Sequence, residues 1–370
     1  MYPRVLQQSI KDHLDHKKAI LIKGARQVGK TTLVEELLKG QQILWLDGDD
    51  LTLRTTLNGI SKQNLLQFIG NAETIVIDEA QRIPEIGIFI KIILDAKLGK
   101  QVFVLGSSSL SLNSSLNEPL TGRKWTFELF PLSWEEIAFE ESLMNALTRR
   151  DELLVFGTYP EVFTSQKKQK LLKEITQSYL YKDILELADI RKPEIIHRLL
   201  QALAYQIGSE VSYNELSNLL KIDAATVVRY IDLLEESFVL FRLPPLSTNN
   251  RKEITTSRKI YFYDTGVRNA VINNFNPLPL RNDHGQLWEN FIVAEYKKKL
   301  SYHRPDALMY FWRAKTGAEV DLVIEENKTY EAVEIKYNPA KKLRVAASFT
   351  ETYLPTSVTL INTENFWNYL

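Results

Sequence analysis

The residues best suited to chemistry stand in one run near the N-terminus, Gly24-Ala25-Arg26-Gln27-Val28-Gly29-Lys30-Thr31-Thr32. This run satisfies G-x-x-x-x-G-K-[ST] at every specified position. Glycines let the backbone curl so that successive N–H groups, and the N-terminus of the helix that follows, face a β-phosphate. Lys30 then reaches the β- and γ-phosphates, and the Thr31 hydroxyl is a Mg²⁺ ligand. The pattern predicts ATP and Mg²⁺ as cofactors, with residues 24–32 as the nucleotide-binding segment. Asp78 and Glu79 complement it at the end of the apolar run 74–77 (TIVI). A carboxylate there holds Mg²⁺ through its water shell, and the next one orients the attacking water. Those roles fall to Asp78 and Glu79.

Two further positions extend this site. Residues 102–105 (VFVL) end in Gly106-Ser107-Ser108-Ser109. A polar side chain at the tip of a strand between the first two can touch the γ-phosphate or the lytic water. Ser107 or Ser108 is the candidate, against ordinary turn chemistry. Arg123, in Thr121-Gly122-Arg123, is a candidate arginine finger, serving its own chain or a neighbouring subunit of a homo-oligomer. The competing reading is a surface arginine in a turn.

A second constellation lies near the C-terminus. Glu289 sits in a predicted helix over 287–296 (LWENFIVAEY), Asp321 in a predicted strand over 317–324, and Glu334 and Lys336 in the run 332–336 (AVEIK). Alternation along a strand sends Glu334 and Lys336 to one face, where Asp321 from the preceding strand can join them. Two carboxylates and a lysine can hold Mg²⁺ and activate water for phosphodiester hydrolysis, with Asp321 and Glu334 as the metal ligands. The competing reading is a strand with a wet face. The 5 histidines are scattered without metal-ligand spacing.

The elements that must position these residues are also legible. Residues 19–23 (AILIK) read as a buried parallel strand. Leu33, Val34, Leu37 and Leu38 make the apolar stripe of the next helix, with Gly40 at its C-terminal cap. From Leu147 to about Leu187 the pattern is helical, broken at Gly157-Thr158-Tyr159-Pro160, with Lys167, Lys168 and Lys170 on a solvated face. Residues 195–242 read as a winged helix-turn-helix. Its later helix carries Arg229 beside Asp232, Glu235 and Glu236, a poor set of base readers, so a packing or lid role is expected. Residues 245–259 read as a polar loop or exposed hairpin in which Arg251, Lys252, Arg258 and Lys259 are solvated or touch phosphates, followed by a strand over 260–263.

Composition sets the bounds. The chain has 370 residues, 44% hydrophobic and 25% charged, with 46 basic residues balancing 46 acidic ones. Net charge therefore singles out no partner, although a local basic patch can still bind nucleic acid. The absence of cysteine excludes disulfides and cysteine–zinc sites. The charged N-terminus predicts no signal peptide, and no apolar run approaches the roughly 18 residues of a membrane span. A cytoplasmic protein with no membrane partner is expected.

Taken in order, GARQVGKTTL, TIVIDEAQ, VLGSSS, LTGR with FELFPLSWEE, GTYPEV, YLYKDIL, VVRYIDLLEESF, KIYFYDTGVRN, LWENFIVAEY, FWRAKTGAEVDLVI and AVEIK resemble the bacterial and archaeal AAA-type ATPases that carry a C-terminal DUF4143 domain. Ala25 departs from that family's usual proline, at a position where backbone amides do the binding. The resemblance implies an additional-strand P-loop ATPase core, a winged-helix segment and an end similar to PD-(D/E)XK nucleases. It carries Lys30, Thr31, Asp78 and Glu79 onto the nucleotide motifs, Arg123 onto the T-G-R position, and Glu289, Asp321, Glu334 and Lys336 onto the nuclease-like pattern. The expected fold is α/β: a P-loop domain with a parallel sheet over 1–145, a helical connector over 146–192, a winged-helix segment with its basic loop over 193–282, and the nuclease-like domain over 283–370. Two functions are expected from this order. One is an Mg²⁺-dependent ATPase acting on DNA through a nucleotide-controlled nuclease end. The other is an ATP-driven switch or assembly module whose C-terminal domain binds a partner and is catalytically silent.

Overall fold

The computed structural model describes residues 2–15, 17–107, 116, 120–180, 193–247 and 258–370. Ser108, Arg251, Lys252 and most of the YLYKDIL segment lie outside the described residues. By packing, the chain forms two units: residues 1–130 with 236–238, and residues 131–235 with 239–370.

The first unit is built on five strands: β1 (Ala19–Lys23), β2 (Ile43–Asp47), β3 (Thr74–Asp78), β4 (Gln101–Gly106) and β5 (Lys124–Glu128). Their order is β2-β3-β4-β1-β5 and every pairing is parallel. A parallel sheet covered on both faces buries successive residues alike. That is why AILIK, TIVI and VFVL are unbroken apolar runs rather than alternating ones. Leu21, Ile75, Ile77, Val102 and Val104 pack against Phe89, Ile90 and Ile93, which lie on a helix over Ile86–Asp95. The opposite face buries Ile20, Ile22, Val76, Phe103 and Leu105. Because β4 is inserted between β1 and β3, and all three run the same way, their C-terminal tips share one edge, where α/β sheets place ligands.

The second unit begins with a helix over Trp134–Glu141, closed by a capping box between Ser133 and Glu136. The expected break at Gly157 has a tertiary cause. The helix Arg150–Phe156 ends there, Gly157 has φ +72°, and Pro160 opens the next helix. A Cβ on Gly157 would lie 2.1 Å from Oδ1 of Asp264. That buried carboxylate accepts from Thr158 N at 2.6 Å and caps a helix over Thr265–Val271 through Val267 N at 2.9 Å.

The middle of this unit runs helix Pro193–Tyr205, β6 (Glu210–Val211), helix Tyr213–Leu220, helix Ala224–Glu236, β7 (Leu240–Leu243) and β8 (Arg258–Phe262). The three strands form an antiparallel sheet in the order β6-β8-β7. β8 starts two residues earlier than the sequence suggests and takes in Lys259.

A helix over His284–His303, buried at Leu287, Trp288, Asn290, Phe291 and Ile292, leads to the last sheet. Its strands are β9 (Leu308–Arg313), β10 (Glu319–Glu326), β11 (Thr329–Ile335) and β12 (Ser357–Ile361). β9, β10 and β11 pair antiparallel, while β12 joins β11 in parallel. Trp312, Val320, Val323, Ala332 and Phe349 form the core beside this sheet. Among the described residues no helix is long and apolar enough to cross a membrane.

Candidate functional site

The chain leaves β1 and enters the helix Lys30–Leu37 through a loop that only glycine can start. A Cβ on Gly24 would lie 2.1 Å from the carbonyl oxygen of Leu129. Gln27 and Gly29 take φ +61° and +94°, rolling the backbone around the Lys30 side chain. The Lys30 ammonium donates to the carbonyls of Gly24 at 2.9 Å and Ala25 at 2.8 Å, inside the loop. Arg4 braces the same loop from outside, donating to Val28 O at 2.7 Å and to Phe130 O. Nothing in the spacing of the sequence points to Arg4.

The strand order brings the other motif residues to this loop. Thr31 Oγ1 donates to Asp78 Oδ2 at 2.8 Å, and Asp78 Oδ1 accepts from Glu79 N at 2.9 Å. Thr31 and Asp78 thus bring two oxygen-bearing side chains together beside the loop. Glu79 has φ +44°, a conformation that costs a non-glycine residue about 1–3 kcal/mol and gathers at functional sites. Its carboxylate is held by side chains from three directions. Gln81 Nε2 donates to Glu79 Oε2 and, at 3.1 Å, to Ser107 Oγ. Ser107 Oγ donates to Glu79 at 3.4 Å, and Arg26 lies 3.9 Å from the same oxygen. Gln81 was passed over in the sequence; its place two residues after Glu79 was the available signal.

Arg123 is not brought to this site within its own chain. It precedes β5, whose Lys124 pairs with Ala19 at the start of β1, so it lies at the edge of the sheet opposite the loop. The four-residue step along β1 spans about 13 Å. Arg123 there forms an ion pair with Asp95.

The C-terminal residues do converge. Asp321 and Glu334 lie one step beyond the Leu322–Val333 pair of β10 and β11, and they face each other across the ladder. Lys336 bridges them, 2.8 Å from Asp321 Oδ2 and 2.9 Å from Glu334 Oε2. Ile335 N donates to Asp321 Oδ2 at 2.7 Å. Glu334 is 3% exposed, and its Oε1 has no hydrogen-bond partner. Burial and the nearby Asp321 charge push the Glu334 carboxyl up to about 7. Burial works against the Lys336 charge, but Asp321 and Glu334 outweigh it and hold the ammonium above its ordinary value.

Glu289 lies within electrostatic reach of Asp321 and pairs with Lys259. The expectation of a solvated or phosphate-touching Lys259 is overturned: its side chain is 4% exposed, ion-paired with Glu289 at 3.3 Å and with Glu319. Strand β8 reaches back to Lys259 and carries it inside. Tyr261, two residues on, donates to Glu289 Oε1 at 2.7 Å. Burial raises the Glu289 pKa, with Lys259 opposing and Asp321 adding. Glu319 was missed in the sequence, although it shares a strand face with Asp321 at a spacing of two. Among the described residues no group of three acidic or histidine side chains converges as a metal cluster. A cation here would rest on the Asp321–Glu334 pair, and the unpartnered Glu334 oxygen fits that demand.

Three stretches of the chain match known families. Residues 16–138 match the family described as AAA domain (AAA_14), residues 147–278 a domain of unknown function, DUF8612, and residues 284–366 a domain of unknown function, DUF4143. An uncharacterized protein of Mycobacterium tuberculosis is 28% identical over 329 residues, 87% of this chain and 71% of that protein. Another, from Methanocaldococcus jannaschii, is 25% identical over 368 residues, 92% of this chain and 80% of its own. The Walker-type ATPase of Pyrococcus abyssi shares the fold, with a TM-score of 0.50 at 13% identity over 74% of this chain and 96% of that one. The chain therefore carries an AAA domain over residues 16–138 and a DUF4143 domain over residues 284–366, with the fold of a Walker-type ATPase.

Proposed function

We propose that this protein hydrolyses ATP with Mg²⁺ at the loop of residues 24–32 and uses its C-terminal site on DNA phosphodiesters. The observation that carries the ATPase half is the 2.8 Å contact between Thr31 and Asp78 beside an enclosed Lys30 ammonium. Lys30 neutralises charge building on the β- and γ-phosphates, and the loop amides orient them. Thr31 and Asp78 would hold Mg²⁺, which would supply positive charge against the charge developing on the phosphates. Glu79 accepts a hydrogen bond from the attacking water and turns its lone pair toward the γ-phosphorus. Gln81 and Ser107 fix that carboxylate, and either can turn toward the γ-phosphate. Arg123 serves a neighbouring subunit in this reading, because its own loop lies at the far edge of the sheet.

For the C-terminal half, support comes from Asp321, Glu334 and Lys336 meeting at one end of β10 and β11, with a buried carboxylate oxygen left unpartnered. Asp321 and Glu334 would hold a divalent ion, which would supply Lewis-acid chemistry for phosphodiester hydrolysis. Lys336, 36% exposed, would contact the scissile phosphate. The order of three helices and an antiparallel three-stranded sheet over 193–262 favours a winged helix as the middle element. A second reading, an ATP-driven switch with a silent C-terminal binding module, is favoured by one observation: Asp232 and Glu235 on the candidate recognition helix are both ion-paired with Arg242, which leaves that helix little to offer DNA.

ATP turnover and DNA cleavage measured on the same protein separate these readings. Lys30→Ala should abolish ATP hydrolysis; unchanged turnover removes the ATPase assignment. Cleavage of single-stranded, duplex or branched DNA with Mg²⁺ or Mn²⁺, lost in Asp321→Ala/Lys336→Ala, supports the nuclease half. Intact DNA in every condition favours the switch.

A further inference from the structure

The C-terminal site is two carboxylate pairs, each bridged by a lysine, and the two lysines are not equivalent. Lys336 follows the end of β11 and is 36% exposed. It touches Asp321 and only one oxygen of Glu334, leaving Oε1 of that buried residue without a partner. Lys259 is the opposite case. It lies within β8, is 4% exposed, and has a carboxylate on either side, Glu289 and Glu319. Tyr261 donates to the same Glu289 oxygen that Lys259 meets. One pair thus holds a buried ammonium between its carboxylates, with Arg313 3.9 Å from the other Glu319 oxygen, and the other pair is incomplete.

We propose that the Lys259 ammonium is a resident cation filling the Glu289–Glu319 half of the site, so that the site binds a single divalent metal ion, on Asp321 and Glu334. An ammonium and a metal ion cannot share one carboxylate pair, because like charges at contact distance repel strongly in a poorly solvated pocket. Lys259 therefore does for Glu289 and Glu319 what a second metal would do: it sets their spacing and cancels their repulsion. Burial opposes its charge, yet Glu289 and Glu319 hold its pKa above the ordinary lysine value, so the cation persists at neutral pH. Lys336, by contrast, can swing toward solvent and leave Asp321 and Glu334 to a metal. This inference rests on the reading of Asp321 and Glu334 as metal ligands.

The test counts Mn²⁺ bound to the full chain without nucleotide, by electron paramagnetic resonance of the free ion, after subtracting what the Asp321→Asn/Glu289→Gln double variant, which loses a carboxylate from each pair, still binds. Wild type should bind one Mn²⁺, and Lys259→Arg should also bind one. Lys259→Met, which removes the ammonium and leaves its two carboxylates, should bind a second. Glu319→Gln should keep the wild-type Mn²⁺ affinity to within about tenfold, the equivalent of 1.4 kcal/mol. Two ions in wild type, or a folded Lys259→Met that still binds one, overturns the inference and leaves the metal reading standing. No Mn²⁺ beyond that background in wild type overturns both. If Lys259→Met does not fold, the counts for wild type and Lys259→Arg and the Glu319→Gln affinity still decide.

Discussion

Glu334 makes the local stability of the C-terminal sheet depend on pH in a calculable way. Its carboxyl is raised from 4.5 to about 7 by burial and by Asp321, with Lys336 only partly compensating. The folded value lies above the unfolded one, so the folded chain holds an extra proton through that window. Stability contributed by this group is present below about pH 4.5 and is lost as pH rises toward 7. A displacement of this size, at about 1.4 kcal/mol per unit, is worth roughly 3 kcal/mol. Glu334→Gln mimics the protonated carboxyl at every pH and should abolish this slope. At about pH 5 the variant and wild type should match; at about pH 8 the variant should be the more stable by a few kcal/mol. Other buried carboxyls, Glu289 and Asp264 among them, are also raised, but they are common to both proteins and cancel in the difference. Hydrogen exchange of β10 and β11 amides reads the local opening free energy once intrinsic rates are corrected for pH. Curves that run parallel from pH 5 to 8 would refute the placement of Glu334 in a buried, carboxylate-crowded site.

The remaining predictions concern the nucleotide site and one backbone constraint. Glu79→Gln should bind ATP normally and hydrolyse it poorly, and Gln81→Ala should lower kcat by about tenfold or more with little change in ATP affinity, because it frees the Glu79 carboxylate; a pure affinity loss in the latter would mean that Gln81 does not position Glu79. Inactive Arg123→Ala mixed with inactive Lys30→Ala should regain ATP turnover, since Arg123 lies away from its own loop. No recovery would leave Arg123 to its pair with Asp95. Gly157→Ala should destabilise the second unit by about 2 kcal/mol or more, combining a positive φ with a Cβ driven onto Asp264. A melting temperature within a degree of wild type would show that the turn can relax.

The features that the sequence determined unaided are those encoded within a few residues of one another. Gly24 to Thr32 is the loop after a strand together with the first turn of the helix that follows, and each of its residue types answers to local backbone geometry. The runs 19–23, 74–77 and 102–105 are apolar because their sheet is covered on both faces, so burial was written without reference to topology. Glu334 and Lys336 share a face because strands alternate. Tertiary structure alone decided the rest. Insertion of β4 between β1 and β3 joins Ser107 to Glu79 and Gln81, residues separated by |i−j| of 28 and 26. The same parallel order carries Arg123 to the far edge, because the start of β5 must lie beside the start of β1. Lys259 looks like one more charge in a polar stretch until β8 pairs with β7 and turns it inward against Glu289 and Glu319. A lone lysine or arginine has no sequence periodicity of its own. Whether it meets water, phosphate or a buried carboxylate is fixed by which distant strand or helix packs beside it.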